Sequence, residues 1–202
     1  MQKHCKLERT LVVIKPDGVQ RALVGEIINR YERVGLKLVG IKLMVLTPEF
    51  IESHYTLDPE WKMKVGVKSI KGYLDKGQEP PSTEPLEVAE DVLGRIKKYL
   101  SAGPVVAMVW QGAHAVQIVR KISGSTEPLM AEIGTIRGDF GLDSYKMTDL
   151  DNRGVRNIVH ASDSVEGAEK ELALWFKSEE IIDYRLISEQ ILYDVNLDGI
   201  LE

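Results

Sequence analysis

The run PVVAMVW, residues 104–110, contains no polar side chain. A strand with one wet face alternates apolar and polar residues, because successive side chains point to opposite faces. This run does not alternate, so it predicts a central, buried strand. It is far shorter than the ~20 apolar residues of a membrane span, and no other run approaches that length. The chain is therefore expected to build a sheet with helices packed on it.

The flanking segments extend this plan. TLVVIK (10–15) predicts a short buried strand, ended by a turn at Pro16-Asp17-Gly18. Val24, Ile27, Ile28, Tyr31 and Val34 fall at helical spacing, and Gly35 stops the helix. KLVGIKLMVL (37–46) predicts a second strand, and Thr47-Pro48 the cap and first residue of a short helix through Tyr55. AHAVQIVRKI (113–122) predicts a helix closed by Ser123-Gly124. RNIVH (156–160) predicts a short strand, and residues 164–177 a last helix with Val165, Ala168, Leu172, Trp175 and Phe176 on one stripe. Alternating strands and helices imply one layered α/β domain spanning 1–202. Periodicity leaves open whether the sheet is doubly wound or ferredoxin-like. Two segments interrupt the plan as surface excursions. Residues 56–100 carry the Pro-rich KGQEPPSTEP and then a helical stretch. Residues 141–155 are polar and turn-rich.

Composition narrows the function. Basic residues number 26 against 31 acidic, a net charge of −5, which argues against broad nucleic-acid binding but not against a local anion site. Cys5 is the only cysteine, so no internal disulfide or cysteine-based metal site is possible. The N-terminal MQKHCKLERT has no apolar signal core, and a cytoplasmic protein is expected. The GxxxxGK[ST], HExxH, GxSxG and CxxC patterns are missing, and no GxGxxG follows a strand.

His160 carries the most chemical interest. It ends the RNIVH run just before a helix, where Asp163 and Glu166 have capping-box spacing and Ser162 and Ser164 add donors. Free N–H groups at a helix start suit an anion. Glu171 lies one turn beyond Gly167, whose missing side chain lets the carboxylate reach back toward Ser162 or His160. There it would fix an imidazole tautomer and stabilise its cation. A second group is basic. Arg120 precedes Gly124-Ser125-Thr126, and GTIRGDFG (134–141) sets Arg137 between glycines. Each guanidinium can clamp a phosphate bidentately, and Thr126 can add a hydroxyl donor. Of the other histidines, His54 beside Tyr55 is a candidate for a pocket wall, His114 a polar helix end, and His4 part of a tail.

These segments together resemble the nucleoside diphosphate kinase family. ERTLVVIKPDGVQRALVGEII, GPVVAMVWQG, GTIRGDF and NIVHASDSVEGAEKELALWF match in order and cover most of the chain outside the excursions. The resemblance implies a ferredoxin-like α/β sandwich with an antiparallel sheet covered by helices. It implies transfer of a terminal phosphoryl group between nucleoside tri- and diphosphates, with Mg²⁺ carried by the nucleotide phosphates and no direct protein ligand. The expected intermediate is a phosphohistidine at His160. Lys15 is similar to the lysine at the transferring phosphate, Asn157 to the ribose-binding asparagine, and Arg120, Thr126 and Arg137 to the phosphate clamp. Glu171 and Ser162 resemble the residues that orient the histidine, and Tyr55 an active-site tyrosine. Family members assemble as hexamers or tetramers, so a homo-oligomer is expected. Imidazoles titrate near neutrality, which makes a neutral nucleophile available at pH 7.

The match departs from the family in three places. Ala161 stands where the family usually has glycine, a strained substitution only if that backbone needs φ above zero. The family's base-stacking aromatic falls in TLDPEWKMKVG, where Trp61 is the candidate. The two excursions are longer than the family's common form, and 56–100, which follows Tyr55, is expected to border the nucleotide entrance. A nucleotide-binding module without turnover and a phosphohistidine carrier acting on a protein are the other classes open.

Overall fold

The computed structural model describes residues 5–197; His4 and the last residues of the C-terminal ILYDVNLDGILE lie outside that range. Among the described residues four strands form one antiparallel sheet: β1 (Glu8–Ile14), β2 (Lys37–Val45), β3 (Pro104–Gly112) and β4 (Val159–Ala161). Their order is β2-β3-β1-β4, the antiparallel, ferredoxin-like arrangement that the resemblance implied.

The alternation missing from PVVAMVW is explained by cover on both faces. On one side Val12 and Ile14 of β1 and Val106, Met108 and Trp110 of β3 pack against α2 (Val24–Glu32), α6 (Ala115–Ser123) and α7 (Ile136–Phe140). On the other, Leu11, Val13, Val105, Ala107 and Val109 meet α3 (Pro48–Tyr55), α5 (Pro85–Leu100) and α9 (Val165–Trp175). At ~25 cal/mol per Å² of apolar surface, a doubly covered strand contributes more stabilisation per residue than a half-wet one.

Several expectations need correction. Pro16-Asp17-Gly18 is not a bare turn: Pro16 opens a short helix, α1 (Pro16–Gln20), its fixed φ suiting the first helical position. The last strand starts at Val159 rather than Arg156, because Ile158 adopts φ +69. The cap of α9 is Ser164, whose Oγ accepts from Gly167 N at 3.0 Å, not Asp163. The excursion after Tyr55 is a helical hairpin, α4 (Trp61–Asp75) with α5, joined by the Pro-rich loop. Gly66 lets the two helices touch: a Cβ there would overlap the Pro85 carbonyl. The second excursion holds α8 (Tyr145–Leu150), capped by Ser144, and a final short helix, α10 (Glu189–Leu192), follows α9. The fork from Arg153 to both Asp143 oxygens, at 2.6 and 2.9 Å, pins the second excursion at its base. The two excursions meet where Asp149 of α8 accepts from Tyr73 Oη at 3.3 Å and Lys76 Nζ at 2.9 Å.

Candidate active site

The sheet brings the two ends of the site together. In the β1–β4 pair His160 lies opposite Val13, and Lys15 follows β1 directly. Lys15 N donates to Ile158 O at 2.7 Å, and Asp17 Oδ2 accepts from Ile158 N at 3.2 Å. Val159 N reaches Asn157 O at 2.7 Å, closing a γ-turn around Ile158. Left-handed φ is rare and costly for a β-branched residue. It persists because the KPDG corner grips the turn from both sides and Ile158 is fully buried. Gly18 makes the fit possible, since a Cβ there would lie 2.7 Å from Ile14 Cγ2 and 3.1 Å from Ile158 Cγ2. Tyr99 Oη donates to Asp17 Oδ1 at 2.5 Å and ties α5 to the same corner.

Behind the imidazole the geometry is tight. His160 Nε2 lies 3.0 Å from Glu171 Oε1, and Ser162 Oγ donates to Glu171 Oε2 at 2.5 Å. Ser162 is fully buried and accepts from Leu11 N at 3.2 Å, so β1 holds the hydroxyl in place. Burial alone would push the Glu171 carboxyl up. The charge and hydrogen bond of His160, aided by His54 and Ser162, outweigh it and hold the carboxyl at about 2. An ionised carboxylate only accepts, so the Nε2 facing it carries the hydrogen and Nδ1 keeps the lone pair. Ala161 pairs with Val12 in β4 without positive φ, so alanine brings no backbone strain there.

In front of the imidazole stand cations. Lys15 Nζ donates to Asn157 Oδ1 at 2.6 Å, and Asn157 Nδ2 donates to Thr126 O at 2.8 Å. Burial, reinforced by the Arg137 cation and opposed by Asp17, lowers the Lys15 ammonium to about 7. Arg137 donates from Nε to Asn157 O (3.1 Å), from Nη1 to Gly124 O (2.6 Å) and from Nη2 to Val159 O (2.7 Å). Those three carbonyls fix its plane and leave one N–H on each terminal nitrogen for a ligand. Arg120 and Thr126 are exposed at the rim.

Lys15, Tyr55, Trp61, Arg120, Thr126, Arg137, Asn157 and His160 line one cavity of about 510 Å³, with Glu171 and Ser162 behind His160. The hairpin forms much of the wall: Val65, Ser69 and Tyr73 continue the stripe begun by Trp61, opposite Val92, Ile96 and Tyr99 of α5. Trp61 stacks obliquely on Tyr55, ring centroids 5.1 Å apart. Burial and the Glu171 charge push the Tyr55 phenol well above its usual range. The sequence singled out neither Asp17 nor Tyr99, and it placed His54 only as a wall. Asp17 is visible in the KPDG corner, but its role depends on a contact 141 residues away.

A family model described as nucleoside diphosphate kinase matches residues 8–65 and 87–181. The chain belongs to the nucleoside diphosphate kinase family. The nucleoside diphosphate kinase of Pyrobaculum aerophilum is 44% identical over 181 residues, covering 88% of this chain and 99% of that protein. A crystal structure of an NDP kinase from that organism superposes with a TM-score of 0.84 at 42% identity, covering 88% of this chain and all (100%) of that one. The Borrelia burgdorferi nucleoside-diphosphate kinase, a transition state mimic with bound vanadate and ADP, has a TM-score of 0.76 at 32% identity, covering 93% and 98%. The halophilic enzyme of Halobacterium salinarum, in complex with CDP, has a TM-score of 0.67 at 34% identity, covering 93% and 99%. The family model passes over residues 66–86, most of α4 and the loop into α5, which form part of the cavity wall.

Proposed function

We propose that this family member exchanges the terminal phosphoryl group between nucleoside tri- and diphosphates through His160, in two half-reactions. The observation that carries the reading is the Glu171 contact to His160 Nε2, which reserves the Nδ1 lone pair for the cavity. In the first half-reaction Nδ1 forms a bond to the γ-phosphorus, the bond to the β–γ bridging oxygen breaks, and the nucleoside diphosphate leaves with that oxygen and its charge. Glu171 offsets the positive charge that develops on the ring. Lys15, Arg120, Arg137 and Thr126 hold the phosphate oxygens, Asn157 the ribose, Trp61 the base, and Tyr55 the wall beside His160. Phosphoryl transfer needs mostly such positioning and charge neutralisation. The second half-reaction runs the same steps backward onto another nucleoside diphosphate.

Among the described residues the one group of three metal-capable side chains is His54, His160 and Glu171. It does not suit Mg²⁺, which prefers oxygen ligands in octahedral array. The His54 Nδ1 lone pair is also already engaged by Trp175 Nε1–H at 3.1 Å. Mg²⁺ is thus expected to arrive on the nucleotide phosphates, where it supplies charge neutralisation. No helix among the described residues is long and apolar enough to cross a membrane. We read the chain as a single cytoplasmic catalytic unit that forms a homo-oligomer, a reading supported by an edge strand, β2, that exposes Ile41, Leu43 and Val45.

The test is direct. With γ-labelled ATP and Mg²⁺ the protein should acquire an acid-labile, base-stable label and discharge it onto GDP. His160→Ala should do neither, and a His160→Ala protein that still turns over sinks the reading.

A further inference from the structure

His54, the residue before Tyr55 on α3, is packed against the reaction centre yet has no part in the scheme above. It is 7% exposed and stands edge-on to His160, ring centroids 4.7 Å apart at 87°. Trp175 Nε1 donates to its Nδ1 at 3.1 Å. An indole nitrogen can only donate, so Nδ1 must hold a lone pair and the ring's hydrogen must sit on Nε2. That Nε2 lies 3.9 Å from Glu171 Oε1, the same oxygen that meets His160 Nε2 at 3.0 Å. The distance exceeds a hydrogen bond, yet in a buried setting an N–H dipole still acts on a carboxylate that close.

Two imidazoles therefore face one carboxylate oxygen, and only one of them is free to become a cation. A second proton on His54 would have to go onto Nδ1, where it would confront the Trp175 N–H. Burial, then the His160 charge, hold His54 down at about 3 against the pull of Glu171, with Lys15 adding a smaller push in the same direction. Tyr55 borders it as well, ring centroids 4.9 Å away.

We propose that His54 is a positioning residue: an imidazole locked by Trp175 in the Nε2–H form, which steadies Glu171 against His160 and leaves the carboxylate's compensating charge to the nucleophile alone. This rests on the phosphotransfer reading of His160. It explains a buried tryptophan–histidine pair that core packing does not require, since two apolar rings would fill the same space. Orienting groups of this kind act through the residue they hold, and their loss typically costs about 10- to 100-fold in rate.

The full chain, labelled with ¹⁵N-histidine, allows the tautomers to be read by NMR. One imidazole, identified by its loss in His54→Gln, should remain in the neutral Nε2–H form from pH 8 to pH 5. In Trp175→Phe, where the indole donor is gone, the same ring should stay neutral but sample both the Nδ1–H and Nε2–H forms, read as averaged ¹⁵N shifts. His54→Asn keeps an acceptor for Trp175 but loses the donor toward Glu171. His54→Gln places an amide N–H near the position of Nε2. Phosphorylation by ATP–Mg²⁺ should therefore fall about 10- to 100-fold in His54→Asn, with ADP affinity unchanged, and recover most of that loss in His54→Gln. A folded His54→Asn protein that phosphorylates at the wild-type rate overturns the proposal. So does equal loss in both variants that tracks melting temperature, or a His54 that becomes cationic between pH 8 and pH 5 in the wild type. If the wild-type protein never labels, the phosphotransfer reading fails on its own, and the tautomer and its response to Trp175→Phe still decide how His54 is held.

Discussion

Lys15 shows how burial can tune a cation toward an anionic ligand. Its ammonium sits 8% exposed beside Arg137, and burial lowers it to about 7. At pH 8 most chains therefore carry Lys15 neutral. Phosphate oxygens favour the charged form, so a nucleotide raises the pKa and its binding draws in a proton. Uptake should approach one proton per site at pH 8 and fall as the pH drops through 7, where Lys15 becomes charged without a ligand. Titration calorimetry of ADP in buffers of different ionisation enthalpy reads this uptake, and Lys15→Arg, permanently charged, should abolish the buffer dependence at pH 8. The chemical groups of the site were legible in the sequence because short motifs carry them: IKPDG holds Lys15, GTIRGDF holds Arg137, and NIVHASDS holds His160. What connects those motifs was not legible. The Asp17–Ile158 and Trp175–His54 contacts join residues 141 and 121 positions apart, a separation at which local pattern is silent.

At the scale of elements, the helical hairpin is the part that periodicity described least well. WKMKVGVKSIKGYLD scatters its apolar residues among lysines and glycines, so its stripe was weak, and the Pro-rich loop beyond it dominated the pattern. The helix forms because α5 and the cavity give its Trp61–Val65–Tyr73 side something to face, which is tertiary support rather than propensity. Gly66 is the point of closest approach. In Gly66→Ala the new methyl would overlap the Pro85 carbonyl and force α4 off α5. Overpacking of this kind costs about 1–3 kcal/mol, which urea denaturation will measure. Because α4 carries Trp61, the nucleotide KM should rise several-fold while the phosphorylation rate at saturating ATP changes little. A variant with unaltered KM would show that the outer hairpin does not shape the nucleotide entrance.

On the scale of the whole molecule, the sheet has two unequal edges, β4 and β2. β4 is short and leads into α9, whereas β2 is nine residues long: Ile182 N donates to Val39 O at 2.8 Å along its first half, and its second half leaves Leu43 68% and Val45 67% exposed. Long, apolar edges invite pairing, and a second copy of the chain is the occupant the proposed homo-oligomer supplies. Leu43→Glu should shift the protein to a smaller species in light scattering coupled to gel filtration, with phosphoenzyme formation intact, because the catalytic cleft lies at the opposite edge of the sheet. The layered architecture was readable early, since PVVAMVW permits few alternatives. The strand order came from the resemblance, because hydrophobic pattern records which residues are covered and not which strands are neighbours.

The left-handed isoleucine has one further consequence. The His160 imidazole, the proposed nucleophile, hangs two residues beyond a bend held by the KPDG corner, by burial of Ile158 and by Arg137, and that corner is continuous with the central sheet. Competence therefore cannot outlast the fold by even a small margin, nor fade well before it. On heating, turnover and tertiary structure should vanish together, with no softened yet intact form in which the nucleophile idles.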